Sequence, residues 1–153
     1  MKLFNNLDVE KNEDLMYHKK LDAAYFNNLS KGHFPGLLGI KITSVEEGKM
    51  YGEMEVKKDF FAPNGFLLAG SILTFADSVA GYSSFAHLPE NGKSFTTLEV
   101  KSNFVGAIRE GVMVCKCTAE HLGKTTQVWR AIVSDKKSNK QVAIFSCTQL
   151  ILY

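Results

Sequence analysis

Apolar residues recur along this chain with two different periods, and the switches between them divide it into elements. Over residues 13–29, Met16, Leu21, Tyr25, Phe26 and Leu29 keep a helical spacing. Asn12 or Asp14 is placed to cap this helix, and Lys31 and Gly32 to end it. Residues 33–39, HFPGLLG, are broken by a proline and two glycines and read as a loop. Alternation of period two then sets in, with Ile40 and Ile42 against Lys41 and Thr43. After a turn at Glu46, Glu47 and Gly48, Met50, Gly52, Met54 and Val56 alternate with Tyr51, Glu53, Glu55 and Lys57, which makes a hairpin with one wet face.

The turn-rich FFAPNG at 60–65 leads into the stretch around which the rest is arranged, NGFLLAGSILTFADSVAG at 64–81. A helix from about Leu68, advanced 100° per residue, puts Leu68, Ile72, Phe75, Ala76 and Val79 on one side and Gly70, Thr74, Asp77, Ser78 and Gly81 on the other. One face is apolar and the other is small and polar. Asp77 is the single carboxylate of the helix, and an unpaired ionised carboxylate in such surroundings costs several kcal/mol. It is therefore paired, open to a cleft, or kept for chemistry.

Four strand-like segments follow at 95–104, 112–120, 126–134 and 141–152, separated by turn signals at Gly106 and Gly111, at Gly123 and at 135–140, the spacing of an antiparallel meander. The last is apolar on both faces, with Val142 and Ile144 on one and Phe145, Cys147 and Ile151 on the other. A chain this short has too few elements to cover both, so a second subunit is the simplest cover. The fold expected is α+β, an antiparallel β-sheet wrapped round one long central helix, with an extra N-terminal helix. A cone-shaped α+β fold competes, although such folds place more helices before the first strand.

With 153 residues, 45% of them hydrophobic, the chain suits one domain, expected over 13–153 after a loosely held tail at 1–12 that lacks periodicity. Lys and Arg number 18 against 16 Asp and Glu with no long run of one sign, which disfavours nucleic acid. The first 32 residues carry five basic and five acidic side chains, no apolar run spans a bilayer, and a cytoplasmic protein without a membrane partner is expected. Cys115, Cys117 and Cys147 lie inside strands and read as buried reduced thiols. No set of His, Cys or acids has metal-ligand spacing, and no cofactor is expected; His33, His87 and His121 read as surface or hinge residues in or near loops. Trp129 reads as core.

In order and spacing, the residues resemble the hotdog-fold acyl-CoA thioesterases of the phenylacetate-degradation (PaaI-like) type. Leu38, Gly39 and Ile40 match the family's LGI; Pro63, Asn64 and Gly65 match most of NPNG; Gly70 matches the second glycine of HGG. Ala76, Asp77, Ala80 and Gly81 follow at the family's spacing, then Thr97, Asn103, Phe104, Arg109, Glu110 and Gly111, and finally Leu122, Gly123 and Lys124 at the LGR turn. The resemblance covers 36–152. Three positions depart from it: Leu68 stands where the family has His, Ala69 where it has the first Gly, and Ala62 where it has the first Asn.

The resemblance implies hydrolysis of an acyl-CoA thioester to free acid and coenzyme A, by a homodimer or a tetramer built as a dimer of dimers. It implies that Asp77 is nucleophile or general base and that the backbone N–H of Ala69 or Gly70 polarises the carbonyl. Asp77 lies about 11 Å along the axis from those amides, so one carbonyl cannot touch both on the same helix. The family's cleft lies between subunits, so the helix start of one chain would face the acid of the other. Thr97 is the candidate to orient water, although simple alternation groups it with Glu99, Lys101 and Asn103 on a polar face. Asn64 and Gly65 are substrate-binding candidates, while Asn before Gly is also a turn signal in its own right. Bulky Phe60, Phe61, Phe66, Tyr82 and Phe85 hint at a short or aromatic acyl group. The missing His and Asn leave a rival reading, a hotdog protein that binds acyl-CoA or lipid without hydrolysis.

Overall fold

The computed structural model describes residues 21–153, and the tail expected at 1–12 and the first half of the helix expected over 13–29 lie outside them. Leu21 and Asp22 are not helical; helix α1 runs Ala23–Leu29, and its cap is Asp22, whose carboxylate accepts from the Tyr25 N–H at 2.8 Å. An acid at this position satisfies an otherwise unpaired amide of the first turn. The loop expected at 33–39 contains a short helix, α2, Phe34–Leu37. Pro35 does not oppose it, because an amide in the first helical turn needs no intrahelical acceptor. Gly39, at φ 73°, ends it, with its N–H on the Gly36 carbonyl at 3.0 Å.

Six strands follow the expected positions closely: β1 Lys41–Glu46, β2 Lys49–Glu55, then, after the long helix α3 (Ala69–Ala86), β3 Ser94–Phe104, β4 Val112–Leu122, β5 Thr126–Asp135 and β6 Gln141–Leu152. They form one antiparallel sheet in the order β1-β2-β4-β5-β6-β3. The last four strands are therefore not a simple meander: β3 pairs with β6 at the far edge, and β4 pairs with β2. Alternation marks each strand but not its neighbours; in this order the sheet curls round α3, which meets β2, β3, β4, β5 and β6.

Ile72, Phe75, Ala76 and Val79 are buried against the sheet, as their helical spacing requires. Leu68, expected with them, is 51% exposed, because it is the cap residue with extended backbone and lies outside the helix. Gly52 of β2 lets the helix approach: a Cβ there would stand 2.9 Å from Val79 Cγ2 and 3.4 Å from Phe75 Cε2. Phe26 of α1 covers another side of α3, stacked on Tyr82 at 5.0 Å between centroids and edge-on to Phe85 at 6.5 Å. The Asn27 side chain accepts from the Ile42 N–H at 2.7 Å and donates to its carbonyl at 2.9 Å, imitating one residue of a neighbouring strand along the β1 edge.

His87 is fully buried at the C-terminus of α3, against the expectation of a surface or hinge histidine. Its Nε2 accepts from the Gly48 N–H at 2.8 Å, so Nδ1 carries the proton and donates to the Ser83 carbonyl at 2.7 Å. The neutral ring thus ties the helix end to the β1–β2 turn. Beside it Trp129 is core, as expected, and its Nε1–H donates to Gln127 Oε1 at 3.0 Å. The three cysteines are buried and unpaired in disulfides.

Candidate active site

The polar face of α3 is held in order by its own hydroxyls. Thr74 Oγ1 donates to the Gly70 carbonyl at 2.8 Å and Ser78 Oγ to the Thr74 carbonyl at 2.7 Å, each turning back one helical turn. Neither hydroxyl is left for Asp77, which lies between them, is partly buried, and has no hydrogen bond or ion pair among the described residues. Burial pushes its carboxyl above the ordinary value of 3.8. The nearby sheet is also apolar: the Cys147 thiol of β6 is pushed up to about 11, chiefly by burial, with the Gln149 hydrogen bond opposing and the Asp77 charge adding to the rise. Asp77 is thus a half-enclosed carboxylate facing β6 with no partner among the described residues to stabilise its charge.

Opposite it, a β-bulge rearranges the expected faces of β3. Phe95 pairs with Ile151 and Thr97 with Gln149, but the register shifts between Thr97 and Glu99, after which Val100 pairs with Cys147 and Ser102 with Phe145. Residues paired directly across two strands share a face. Thr97 therefore lies with Phe95, Val100 and Ser102 on the side of buried Ile151, Gln149, Cys147 and Phe145, which is the helix side. Glu99, Lys101 and Asn103 lie on the other. Simple alternation fails here because the bulge inserts one residue, Leu98. The bulge carries Thr97 to the face of the sheet that looks toward the helix.

At the other end of α3, the entry loop is laced to itself. The Leu68 N–H donates to the Phe60 carbonyl at 2.9 Å, the Ser71 hydroxyl donates to the same oxygen at 3.2 Å, and the Ala62 N–H donates to the Phe66 carbonyl at 2.8 Å. Asn64 Oδ1 accepts from the Phe66 N–H at 3.2 Å, and Gly65 takes φ 80°, so both serve the turn that presents the helix start. The Arg109 guanidinium lies 5.1 Å from the centre of the exposed Phe66 ring, which tethers the 105–111 connection to this loop. Leu68 provides no side-chain cap. The first intrahelical bonds start with the Ser71 N–H, leaving the Ala69 and Gly70 amides without an acceptor among the described residues, on exposed backbone. Two free N–H groups at the positive end of an eighteen-residue helix favour a carbonyl oxygen that is gaining negative charge.

Asp77 and the two amides remain about 11 Å apart along one helix axis, so one chain by itself does not bring them to a single carbonyl. Tyr82 and Phe85, expected near an acyl pocket, instead pack on Phe26 on another side of the helix, and the Tyr82 hydroxyl is 2.8 Å from Ser30 Oγ. Among the described residues no group of three His, Cys, Asp or Glu is arranged to hold a metal, and no helix is long and apolar enough to cross a membrane. His33 and His121 are exposed. The bulge and the buried role of His87 had no signal in the residue pattern.

Comparison with known proteins gives concordant results. The profile of the thioesterase superfamily matches residues 64–142, which include the helix, Asp77 and Thr97. A 1,4-dihydroxy-2-naphthoyl-CoA hydrolase of Listeria monocytogenes is 31% identical over 111 residues, 72% of this chain and 89% of that protein. The crystal structure of a mutant thioesterase from Pseudomonas aeruginosa superposes with a TM-score of 0.83 at 26% identity, covering 90% of this chain and 98% of that one. The PaaI protein of Escherichia coli, from the phenylacetic acid degradation operon, shares the fold with a TM-score of 0.71 at 21% identity, over 78% of this chain and 83% of that one.

Proposed function

The chain belongs to the thioesterase superfamily and has its PaaI-like hotdog fold, and from that premise we propose that it hydrolyses acyl-CoA thioesters in a cleft formed between two copies of itself. The observation that carries the proposal is Asp77: a partly buried carboxylate with no partner among the described residues, on the small face of the helix whose first amides also find no acceptor among them. Structural carboxylates in such surroundings are paired, because an unpaired buried charge is costly. The expense is explained if the group is used.

In the proposed reaction the thioester carbonyl oxygen takes the Ala69 or Gly70 N–H of one subunit, which stabilises the oxyanion as the carbon becomes tetrahedral. Asp77 of the partner subunit either attacks the carbon, forming an anhydride that water then hydrolyses, or takes a proton from the attacking water. The C–S bond breaks, the coenzyme A thiolate leaves and is protonated, and the acid is released. Thr97, brought to the helix side by the bulge, is the group proposed to hold the water. Asn64 and Gly65 shape the turn through which the substrate passes.

A second copy is supported by the strand at the sheet edge. Among the described residues β3 pairs only with β6, and Leu98, Val100, Phe104 and the adjacent Val105 are exposed apolar residues along it. Such an edge pairs with another strand unless something blunts it. The partner proposed is a second copy joined antiparallel along β3.

Thiol release from a panel of acyl-CoAs, with binding of non-hydrolysable thioethers measured alongside, tests the reading. Turnover is expected. Tight thioether binding without release of thiol from any ester would establish instead the acyl-CoA-binding protein that Leu68 and Ala62, apolar where the family has His and Asn, leave as the rival. Asp77→Asn keeps the shape and removes nucleophile and base, so the rate should fall at least ~100-fold. A destabilised Asp77→Asn protein with intact specific activity would refute the assignment.

A further inference from the structure

Resting on the thioesterase reading, we propose that Phe95 is the end wall of the acyl site and restricts this enzyme to acyl groups of one aromatic ring or a short aliphatic chain. The small face of α3 is open at one end and shut at the other. At Gly70 a Cβ would meet nothing nearer than the Leu68 side chain at 3.8 Å. At Gly81 the same construction meets the Phe95 ring, 3.3 Å to Cζ and 3.7 Å to Cε2. The ring therefore lies in contact with the helix backbone itself. Gly81 follows Asp77 by one helical turn on the same face, about 6 Å along the axis. A carbonyl placed at Asp77 leaves that length for the rest of the acyl group before it reaches Phe95.

Along the helix the way past the ring is closed. Beyond Gly81 the run from Ser83 to Leu88 is entirely buried. Phe95 lies in the regular part of β3, before the bulge, paired with buried Ile151 and packed on the core. Tyr82 and Phe85 face Phe26 and line no part of this path. Between the carboxylate and the ring the neighbouring sheet positions are Thr97, Val100, Cys147 and Gln149, a surface with one hydroxyl, one amide and no charge. A single planar ring or a few methylenes suits that surface, whereas a fused bicyclic acyl group would run into Phe95.

The test compares kcat/KM for benzoyl- against 2-naphthoyl-CoA and for hexanoyl- against decanoyl-CoA in the wild type, Phe95→Leu, Phe95→Ala and Gly81→Ala. The wild type should favour the smaller member of each pair by at least ~10-fold, the discrimination that even small changes of acyl size produce in an apolar pocket. Phe95→Ala should abolish or invert both ratios, Phe95→Leu should fall between, and Gly81→Ala, which adds a methyl against the ring, should sharpen them. Circular dichroism and melting establish that each variant is folded; if Phe95→Ala is not, Phe95→Leu carries the comparison. Unchanged ratios in a folded Phe95 variant, or a wild type that prefers naphthoyl or decanoyl groups, would overturn the proposal. Should the wild type release no thiol from any ester, the hydrolytic reading falls by itself. The same ratios are then read from dissociation constants of S-benzyl-, S-naphthylmethyl-, S-hexyl- and S-decyl-CoA thioethers, with the same two outcomes for Phe95.

Discussion

At the scale of single residues, two side chains on α3 show opposite solutions to one problem, how to bury a titratable group. His87 is neutral and uses both ring nitrogens, accepting from Gly48 and donating to Ser83. Removing it leaves the partly buried Gly48 amide without its acceptor, so His87→Leu should cost ~1–3 kcal/mol in urea unfolding; no loss of stability would mean the ring is only filling space. Asp77 has no comparable partner, and burial raises its pKa. The sign follows. A carboxyl whose folded pKa exceeds its unfolded one binds protons more tightly when folded, so stability falls as pH rises through the window from 3.8 to the raised value, and that cost persists above it. Asp77→Asn should therefore melt at the same or a higher temperature at neutral pH. As a base or nucleophile Asp77 must be ionised, so kcat/KM should drop on acidification with a midpoint above 3.8. An acid limb at or below that value would argue against Asp77 as the group titrated.

At the scale of elements, what matters is how closely α3 lies on the sheet and how the strands bend to hold it. Gly52 sits under the helix where a methyl would stand 2.9 Å from Val79 Cγ2 and 3.3 Å from the Lys41 carbonyl. Both neighbours belong to packed elements with little room to yield. Gly52→Ala should destabilise by ~1–3 kcal/mol through overpacking, read as a lowered urea midpoint at unchanged slope. A neutral or stabilised variant would show that helix and sheet slide apart freely. The bulge in β3 works at the same scale. By adding Leu98 it turns Thr97 to the helix side while leaving Leu98 itself 58% exposed on the sheet edge. A strand of perfect alternation would have turned Thr97 outward with Glu99.

At the scale of the whole molecule, one chain is incomplete for the proposed reaction. The Ala69 and Gly70 amides and the carboxylate of Asp77 lie about 11 Å apart on one helix, and in the proposed cleft a second helix start brought against Asp77 joins them. The two sheet edges differ in kind: β1 is packed by α1 and bridged by the Asn27 amide, whereas β3 presents exposed Leu98, Val100 and Phe104. The outer face of β6, expected to be fully apolar and covered, carries Ile144, Ser146, Thr148 and Leu150, all partly exposed, so the case for a dimer moves from that face to the β3 edge. Sedimentation at micromolar concentration should give at least twice the 17.0 kDa of one chain. Leu98→Lys, placing a charge on that edge, should shift it toward monomer and lose activity with the dimer. A wild type that sediments as a 17.0 kDa species while fully active would sink the shared cleft.

Much of this protein is determined by local physics and was legible in the residue order. The helical period through Ile72, Phe75, Ala76 and Val79 decides which face of α3 is buried, the alternation after Gly39 and after Gly92 decides where strands run, and Asp77 is conspicuous as the one charge on an apolar helix. These are properties of near neighbours, set by the geometry of one turn or one pleat. Only the tertiary structure decided the rest. That β3 joins β6 and not β4, that a bulge reverses the face of Thr97, that His87 is buried between a helix end and a hairpin turn, and that Phe95 closes on Gly81 all depend on residues far apart in the chain. Such contacts leave no period in the sequence, because the pattern records which face is apolar but not which distant surface covers it.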